Sequence, residues 1–361
     1  MILIFIVKSQ TCLIRSVILL LGLSLYSLRL CSQQKVIPAD DPSIEYTGRF
    51  DFTDSLHPVF MYSGCMIRTG FTGTSISIQL IDDSLRNWYT VKIDDSLFSF
   101  KADKANGVYR LAKNLKNTQH TVEVSRRTEW HGGNTTFSGF MLDSTARAYA
   151  LPSLKRAIEF IGNSVTCGYG NRGKSREAHF TYETEDNYYT YGALVARALN
   201  ANYIGVCRSG IGMYQSYGGD TNFVQPKLYD EIAVGSKSVW DYKNNQPDIV
   251  VIELGANDLA GALDSVAFAN AYISFVKKIR DQYSLAHIIC AAGPDLPGDS
   301  SSKFQSYVKA IADYFINSDR RIHYFYFGVI DSNGSDWHPN LKEHGQMAEV
   351  LLPFVKGTAG W

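Results

Sequence analysis

Two rhythms of apolar and polar residues divide the chain. Between Ile44 and about Ala148, apolar positions recur at every second residue in short runs: Ser75-Ile76-Ser77-Ile78-Gln79-Leu80, Tyr89-Thr90-Val91-Lys92-Ile93 and Thr121-Val122-Glu123-Val124. Period-two alternation turns one face toward a core and the other toward solvent, so these runs predict half-buried antiparallel strands. Gly70, Gly73, Asp82-Asp83, Asn106-Gly107 and Gly132-Gly133 punctuate them, and no helical stripe of useful length intervenes. The pattern predicts a β-sandwich over residues 35–148.

After Pro152 the rhythm lengthens. Apolar strands (Ala157 to Ile161, Tyr203 to Val206, Ile249 to Leu254, His287 to Ala292, Ile322 to Phe325) alternate with amphipathic stretches around Tyr189 to Leu199, Ser265 to Asp281 and Lys303 to Phe315, and a last helix is expected after Pro339. Continuously apolar strands separated by helices predict a parallel sheet covered on both faces, a three-layer α/β unit over 149–361. Thr145 to Leu154 reads as the linker. Ligands of such sheets bind beyond the carboxyl ends of the strands, so the chemistry is expected just after strands.

A chain of 361 residues is long enough for these two units, each with its own core. With 35 basic and 35 acidic residues, it lacks the positive footprint that draws nucleic acid or an anionic membrane. A neutral partner fits better, and 22 tyrosines offer flat faces that suit sugar rings as well as strand cores. Residues 1–34 read as a signal segment: Lys8 and Arg15 precede an apolar run from Val17 to Leu25 that is short for a bilayer span. Export to the periplasm, the cell surface or the medium is therefore expected, with a lipid anchor at Cys31 as the one conceivable membrane attachment. Cys65, Cys167, Cys207 and Cys290 remain, without CxxC spacing, and read mostly as small buried residues, with a disulfide among them left open because four cysteines allow three pairings.

Three strand ends carry candidate chemistry. Ile158 to Ile161 runs into Gly162-Asn163-Ser164, which exposes Ser164 where a nucleophile would stand; a plain helix-capping serine is the bland alternative. Val206-Cys207-Arg208 leads into Ser209-Gly210-Ile211-Gly212, and Ile249 to Leu254 leads into Gly255-Ala256-Asn257-Asp258. Acyl transfer needs donors aimed at an oxyanion. The Ser164 N–H, a glycine N–H from Gly210 or Gly212 and the Asn257 side-chain amide form such a set. A fourth piece, Asp336-Trp337-His338-Pro339, places His338 before the last helix, where it can take the serine proton. Asp336 is two residues before that histidine, so either its carboxylate or a backbone carbonyl orients the ring. Every reacting residue follows Leu154, so the second unit is expected to hold the complete catalytic set. Neither a metal nor a cofactor is expected. Metal ligation by Asp336, His338 and His344 would leave Ser164 and Asn257 unexplained, and Cys167 lacks the charge that activates a thiol.

These blocks, in this order, resemble the SGNH hydrolases. More narrowly, Ile158 to Gly170, Ser209-Gly210-Ile211-Gly212 with Tyr217-Gly218-Gly219, and Asp336-Trp337-His338-Pro339 resemble carbohydrate esterase family 2, as do Gly48-Arg49-Phe50-Asp51-Phe52 and Phe71-Thr72-Gly73-Thr74-Ser75 upstream. The resemblance implies a jelly-roll form for the β-sandwich and deacetylation of xylan, mannan or related saccharides through an acyl-enzyme on Ser164. It also implies His338 as base, Gly210 and Asn257 in the oxyanion hole, and Tyr217 and Trp337 facing the sugar. Asn163 stands where the family usually has aspartate, and Ser335 stands three before the histidine, where broader SGNH enzymes place the orienting acid. A glycan-binding protein without catalysis, or a lipase or thioesterase on the same fold, are the competing readings.

Overall fold

The computed structural model describes residues 34–260, 262–297 and 302–361. The expected signal segment, with Cys12 and Cys31, lies outside the described residues apart from its last position. The N-terminal part is all-β and antiparallel. One sheet runs Lys35–Ile37, Thr135–Leu142, Ile76–Asp82, Asn106–Ala112, with Val59–Phe60 also on Thr135–Leu142. The other runs Ala148–Tyr149, Met66–Gly73, Thr118–Arg126, Trp88–Ile93, Ser96–Lys101, with Glu45–Thr47 on Met66–Gly73. Inward rows from the first (Ile76, Ile78, Leu80) and the second (Val91, Ile93, Val122, Val124) join one buried cluster, as the alternation requires. The linker expectation needs one correction: Ala148 and Tyr149 pair with Phe71 and Gly70, so the chain stays with the sheets through Tyr149.

The second part is a five-stranded parallel sheet in the order Ala201–Cys207, Arg156–Gly162, Ile249–Glu253, His287–Ala292, Ile322–Tyr326. Alternate residues of each strand feed opposite faces. Ile158, Phe160, Ile249 and Val251 pack with Tyr191 and Val195 of the helix Tyr191–Ala198 and with Met347, Leu351 and Val355 of the helix Leu341–Ala359. Ile161, Val250 and Ile252 pack on the other face with Phe268, Tyr272, Phe275 and Ile279 of the helix Ser265–Gln282 and with Val308 and Ile311 of the helix Ser302–Tyr314. In this order the chain reverses direction between Arg156–Gly162 and Ile249–Glu253, and that switch point opens a crevice at the carboxyl edge of the sheet.

One buried cluster runs from the β-sheets into the face of the parallel sheet that carries Ile161, Val250 and Ile252. Within this contact Arg49 of the β-domain meets Glu159 of the first parallel strand at 3.1 Å, both side chains fully buried. The Tyr229 and Tyr283 hydroxyls donate to the same carboxylate at 2.7 and 2.8 Å, so both oxygens are satisfied without water. Each charge depends on its partner across the boundary.

Candidate active site

The first parallel strand ends at Gly162, and the chain turns at once into the short helix Ser164–Cys167. Asn163 caps this helix, its side-chain oxygen accepting the Val165 N–H at 2.9 Å. The cap leaves the Ser164 N–H at the first helical position, which has no acceptor within the helix. The Asn163 amide in turn donates to Glu253 at 3.3 Å, and the Thr166 hydroxyl donates to the other oxygen of that carboxyl at 3.2 Å. Burial pushes the Glu253 carboxyl up to about 8, against the pull of these two donors. Asn163 therefore joins the helix start to the neighbouring strand, its oxygen capping Val165 and its amide donating to Glu253.

Ser164 Oγ lies 2.8 Å from His338 Nε2. On the far side of the ring, His338 Nδ1 faces the Asp336 carbonyl at 3.0 Å and the Ser335 carbonyl at 3.2 Å. Carbonyls only accept, so Nδ1 carries the proton and Nε2 is the free base. Burial pushes the His338 pKa below its ordinary value, and the two carbonyls oppose that shift only in part. The Tyr169 ring packs against the imidazole, centroids 4.4 Å apart.

The placement of Asp336 differs from a triad aspartate. Its carboxylate points away from His338 and accepts the Phe180 N–H at 2.8 Å, His179 Nδ1 at 3.0 Å and the Tyr169 hydroxyl at 3.1 Å. Burial would raise its pKa, but these donors outweigh burial and hold it below the carboxylate range. Asp336 and Trp337 are both left-handed, at φ 49° and 62°, so the chain loops back and presents the Asp336 carbonyl, not its carboxylate, to the ring. A spacing of two could not have delivered the carboxylate to a ring that this turn swings over its own backbone.

The oxyanion candidates resolve on hydrogen-bond accounting. The Gly212 N–H is taken by Ser216 Oγ at 3.0 Å, whereas the Gly210 N–H has no acceptor among the described residues. Gly210 sits at φ 77°, which favours glycine, and a side chain at Gly212 would collide with the Gln215 carbonyl. Asn257 Nδ2 donates one hydrogen to the Ile211 carbonyl at 2.8 Å, which aims the amide across the same loop and leaves its second hydrogen available. Asp258, to which sequence reasoning gave no role, accepts the N–H groups of Met213, Tyr214 and Gln215 at 2.7–2.9 Å. The Asn257-Asp258 pair thus pins the loop after Gly210, and a carboxylate following the asparagine was the available signal.

Tyr217, whose N–H donates to the Gly210 carbonyl at 2.9 Å, is 72% exposed, and Trp337 beside His338 is 51% exposed under the Arg176 guanidinium at 4.6 Å. Both aromatic side chains are open to water, Tyr217 on the loop that carries Gly210 and Trp337 next to His338 in the chain. The four described cysteines are free and buried, and burial drives the Cys167 thiol well above its usual pKa, so it is not a nucleophile. His344 lies in the interior with Nδ1 accepting the Tyr191 N–H, apart from any acidic cluster. No group of three His, Cys, Asp or Glu side chains suited to a metal occurs among the described residues.

A hydroxyl bonded to a neutral imidazole, at a strand end beside unpaired donors, on this sheet order, defines a serine ester hydrolase of the SGNH type. Residues 160–347 match the GDSL-like Lipase/Acylhydrolase family and residues 46–152 match the family described as Carbohydrate esterase 2 N-terminal. The chain belongs to carbohydrate esterase family 2. It is 35% identical over 328 residues to the cellulase/esterase CelE of Acetivibrio thermocellus, covering 89% of this chain but 40% of that longer protein. It is 29% identical over 344 residues to an acetylxylan esterase / glucomannan deacetylase of Cellvibrio japonicus, covering 92% and 93%. Among solved structures, a family two carbohydrate esterase from Clostridium thermocellum in complex with cellohexaose superposes with a TM-score of 0.83 at 34% identity, over 88% of this chain and 99% of that one. A family two esterase from Cellvibrio japonicus gives a TM-score of 0.85 at 27% identity, over 91% and 99%.

Proposed function

We propose that this esterase removes O-acetyl groups from plant-type polysaccharides or their oligosaccharides through an acyl-enzyme on Ser164. The observation that carries the reading is the 2.8 Å contact between Ser164 Oγ and a His338 ring whose other nitrogen is held by two carbonyls. Ser164 Oγ attacks the ester carbonyl as its proton passes to Nε2, and the imidazolium is stabilised by the Asp336 and Ser335 carbonyls. The Ser164 N–H, the Gly210 N–H and the free hydrogen of Asn257 receive the oxyanion. His338 returns the proton to the departing sugar hydroxyl, then activates water to release acetate. Tyr217 and Trp337 offer the sugar two stacking faces, consistent with the acetylxylan and glucomannan deacetylase of Cellvibrio and with the cellohexaose bound to the Clostridium enzyme. The charged and apolar pattern of Lys8, Arg15 and Val17 to Leu25 supports export, which puts the enzyme where such polymers are met.

Release of acetate from acetylated xylan, glucomannan and a cellulose acetate control tests the proposal, with Ser164→Ala alongside. Acetate from at least one polymer, abolished in the variant, is expected. Polymer binding without acetate release would favour a purely glycan-binding role for the same aromatic pair.

A further inference from the structure

We infer that Glu129, on the β-domain, is a positioning residue for ester hydrolysis: its carboxylate fixes Ser209 and thereby sets the Gly210 N–H in the oxyanion hole. The inference rests on the role proposed above for Gly210. Glu129 is fully buried, and one of its oxygens accepts the Ser209 N–H at 2.6 Å while the other accepts the Ser209 hydroxyl. Ser209 directly precedes Gly210, so both donors of the preceding residue are consumed by one carboxylate from the other domain. The same carboxylate also meets Cys167 Sγ at 3.4 Å, at the end of the short helix that Ser164 begins. A single group thus touches two of the three segments that line the proposed oxyanion hole, those of Ser164 and Gly210.

Glu129 is itself held still. The Gly132 N–H and Arg126 Nη2 donate to its carbonyl at 3.0 and 3.1 Å, and its own N–H donates to Glu185 at 3.3 Å. Beyond Gly210, the loop is pinned by Asn257 on the Ile211 carbonyl and by Asp258 on Met213, Tyr214 and Gln215. Gly210 therefore sits between two clamps, one from each domain, and on its N-terminal side Glu129 holds Ser209 next to the Arg208 N–H, which donates to the Gly162 carbonyl at 3.2 Å. This revises the expectation that the second unit is catalytically complete: the reacting atoms all lie there, but one of their supports does not.

The charge on Glu129 has a local logic. Burial alone would neutralise it, yet donors from His131 and Ser209 prevail and keep its pKa low, while burial and the Glu129 charge drive the neighbouring Glu185 well above its ordinary value. The two carboxyls are thus pushed in opposite directions, as expected of a buried like-charge pair. Burial still lowers the His338 pKa, but the negative charge opposes part of that fall and so favours the imidazolium that forms during proton transfer. A preorganised charge of this kind acts in the transition state more than on bound substrate.

The test uses the full chain with p-nitrophenyl acetate and with phenylboronic acid, which forms a tetrahedral adduct on a serine nucleophile. Glu129→Gln keeps one acceptor but presents an amide to the second Ser209 donor. It is expected to lower kcat about tenfold or more at unchanged KM, a fraction of the roughly 100- to 1000-fold cost of deleting an oxyanion donor outright. Phenylboronic acid should bind more weakly by a similar factor, a readout that mere loss of stability does not move once the folded fraction is normalised. Ser209→Ala, which keeps the N–H and removes only the hydroxyl, should lose about threefold to tenfold on the same argument and covers the case in which Glu129 variants fail to fold. Parental kcat and boronate affinity in Glu129→Gln, or in Ser209→Ala if only that variant folds, overturns the inference. Ser164→Ala separates the two failures: turnover retained there would sink the assignment of the nucleophile, whereas a dead Ser164→Ala beside a parental Glu129→Gln would sink only the role of Glu129.

Discussion

Substitution of Asp336 distinguishes two ways of holding a catalytic histidine. If the carboxylate oriented the ring as in a Ser-His-Asp triad, Asp336→Asn would impose the wrong tautomer and cost on the order of 10⁴ in kcat. Here the ring is held by the Asp336 carbonyl at 3.0 Å, and the side chain only anchors the turn through Tyr169, His179 and Phe180. Asparagine tolerates the left-handed conformation that residue 336 adopts at φ 49° and keeps an acceptor for the Phe180 N–H. Asp336→Asn is therefore expected to keep kcat within about fivefold of the parent, far from the 10⁴ of a broken triad. Asp336→Ala loses the three acceptor contacts and bears more of the roughly 1–2 kcal/mol strain of a left-handed L-residue. Each 1.4 kcal/mol that goes into misplacing the carbonyl is about tenfold in rate, so about a tenfold loss of kcat is expected, with a fall in Tm of a few degrees. His338→Ala, which removes the base, should lose at least about 10³. The assay is initial-rate hydrolysis of p-nitrophenyl acetate beside thermal unfolding of each variant. A thousandfold loss in a well-folded Asp336→Asn would refute the carbonyl reading and restore the carboxylate as the orienting group.

Ser164→Ala should retain its circular dichroism and Tm but lose ester hydrolysis by at least about 10³, read as acetate release. Asn257→Ala removes an oxyanion donor and the brace on the Ile211 carbonyl, and should lower kcat by about 100- to 1000-fold with KM little changed in initial-rate assays. Because burial lowers the His338 pKa, the free base that accepts the serine proton persists to more acid conditions: kcat/KM should be flat above about pH 6.5 and fall only below it, and an acid limb centred above that value would contradict the burial argument. Arg49→Ala should destabilise the protein by about 3–5 kcal/mol in denaturant unfolding, since Glu159 is left buried and unpaired, while Arg49→Met with Glu159→Leu should recover most of that loss.

Much of the catalytic half was legible because its signals are local. Strand runs such as Ile249 to Leu254 and His287 to Ala292 are almost wholly apolar. Three of the motifs begin within a residue or two of a strand end and the fourth directly precedes the last helix, so Ser164, Gly210, Asn257 and His338 could be gathered at one edge from the sequence. The choice between Gly210 and Gly212 was not legible, since it turns on which N–H meets Ser216 Oγ. The same holds for Asp336, where two consecutive left-handed residues reverse the direction of a side chain that spacing alone leaves open. Ser96–Lys101 escaped notice because its side chains are nearly all exposed and carry no alternation. Glu129 was invisible for a different reason: it lies 80 positions from Ser209, and a glutamate near a strand end gives no hint that it will be buried against another domain.

The Arg49–Glu159 pair has a bearing on how such genes can be rearranged. In the Acetivibrio relative, the matching region is 40% of a longer polypeptide, so there it is joined to further chain. A recombination breakpoint falling between Tyr149 and Arg156 would separate a buried guanidinium from the carboxylate that neutralises it, and each orphaned charge would then face solvent-free surroundings that cost several kcal/mol. Exchange of the β-part alone between relatives should therefore succeed only when donor and recipient share this arginine and glutamate, which makes the two halves a single heritable module despite their unlike architectures.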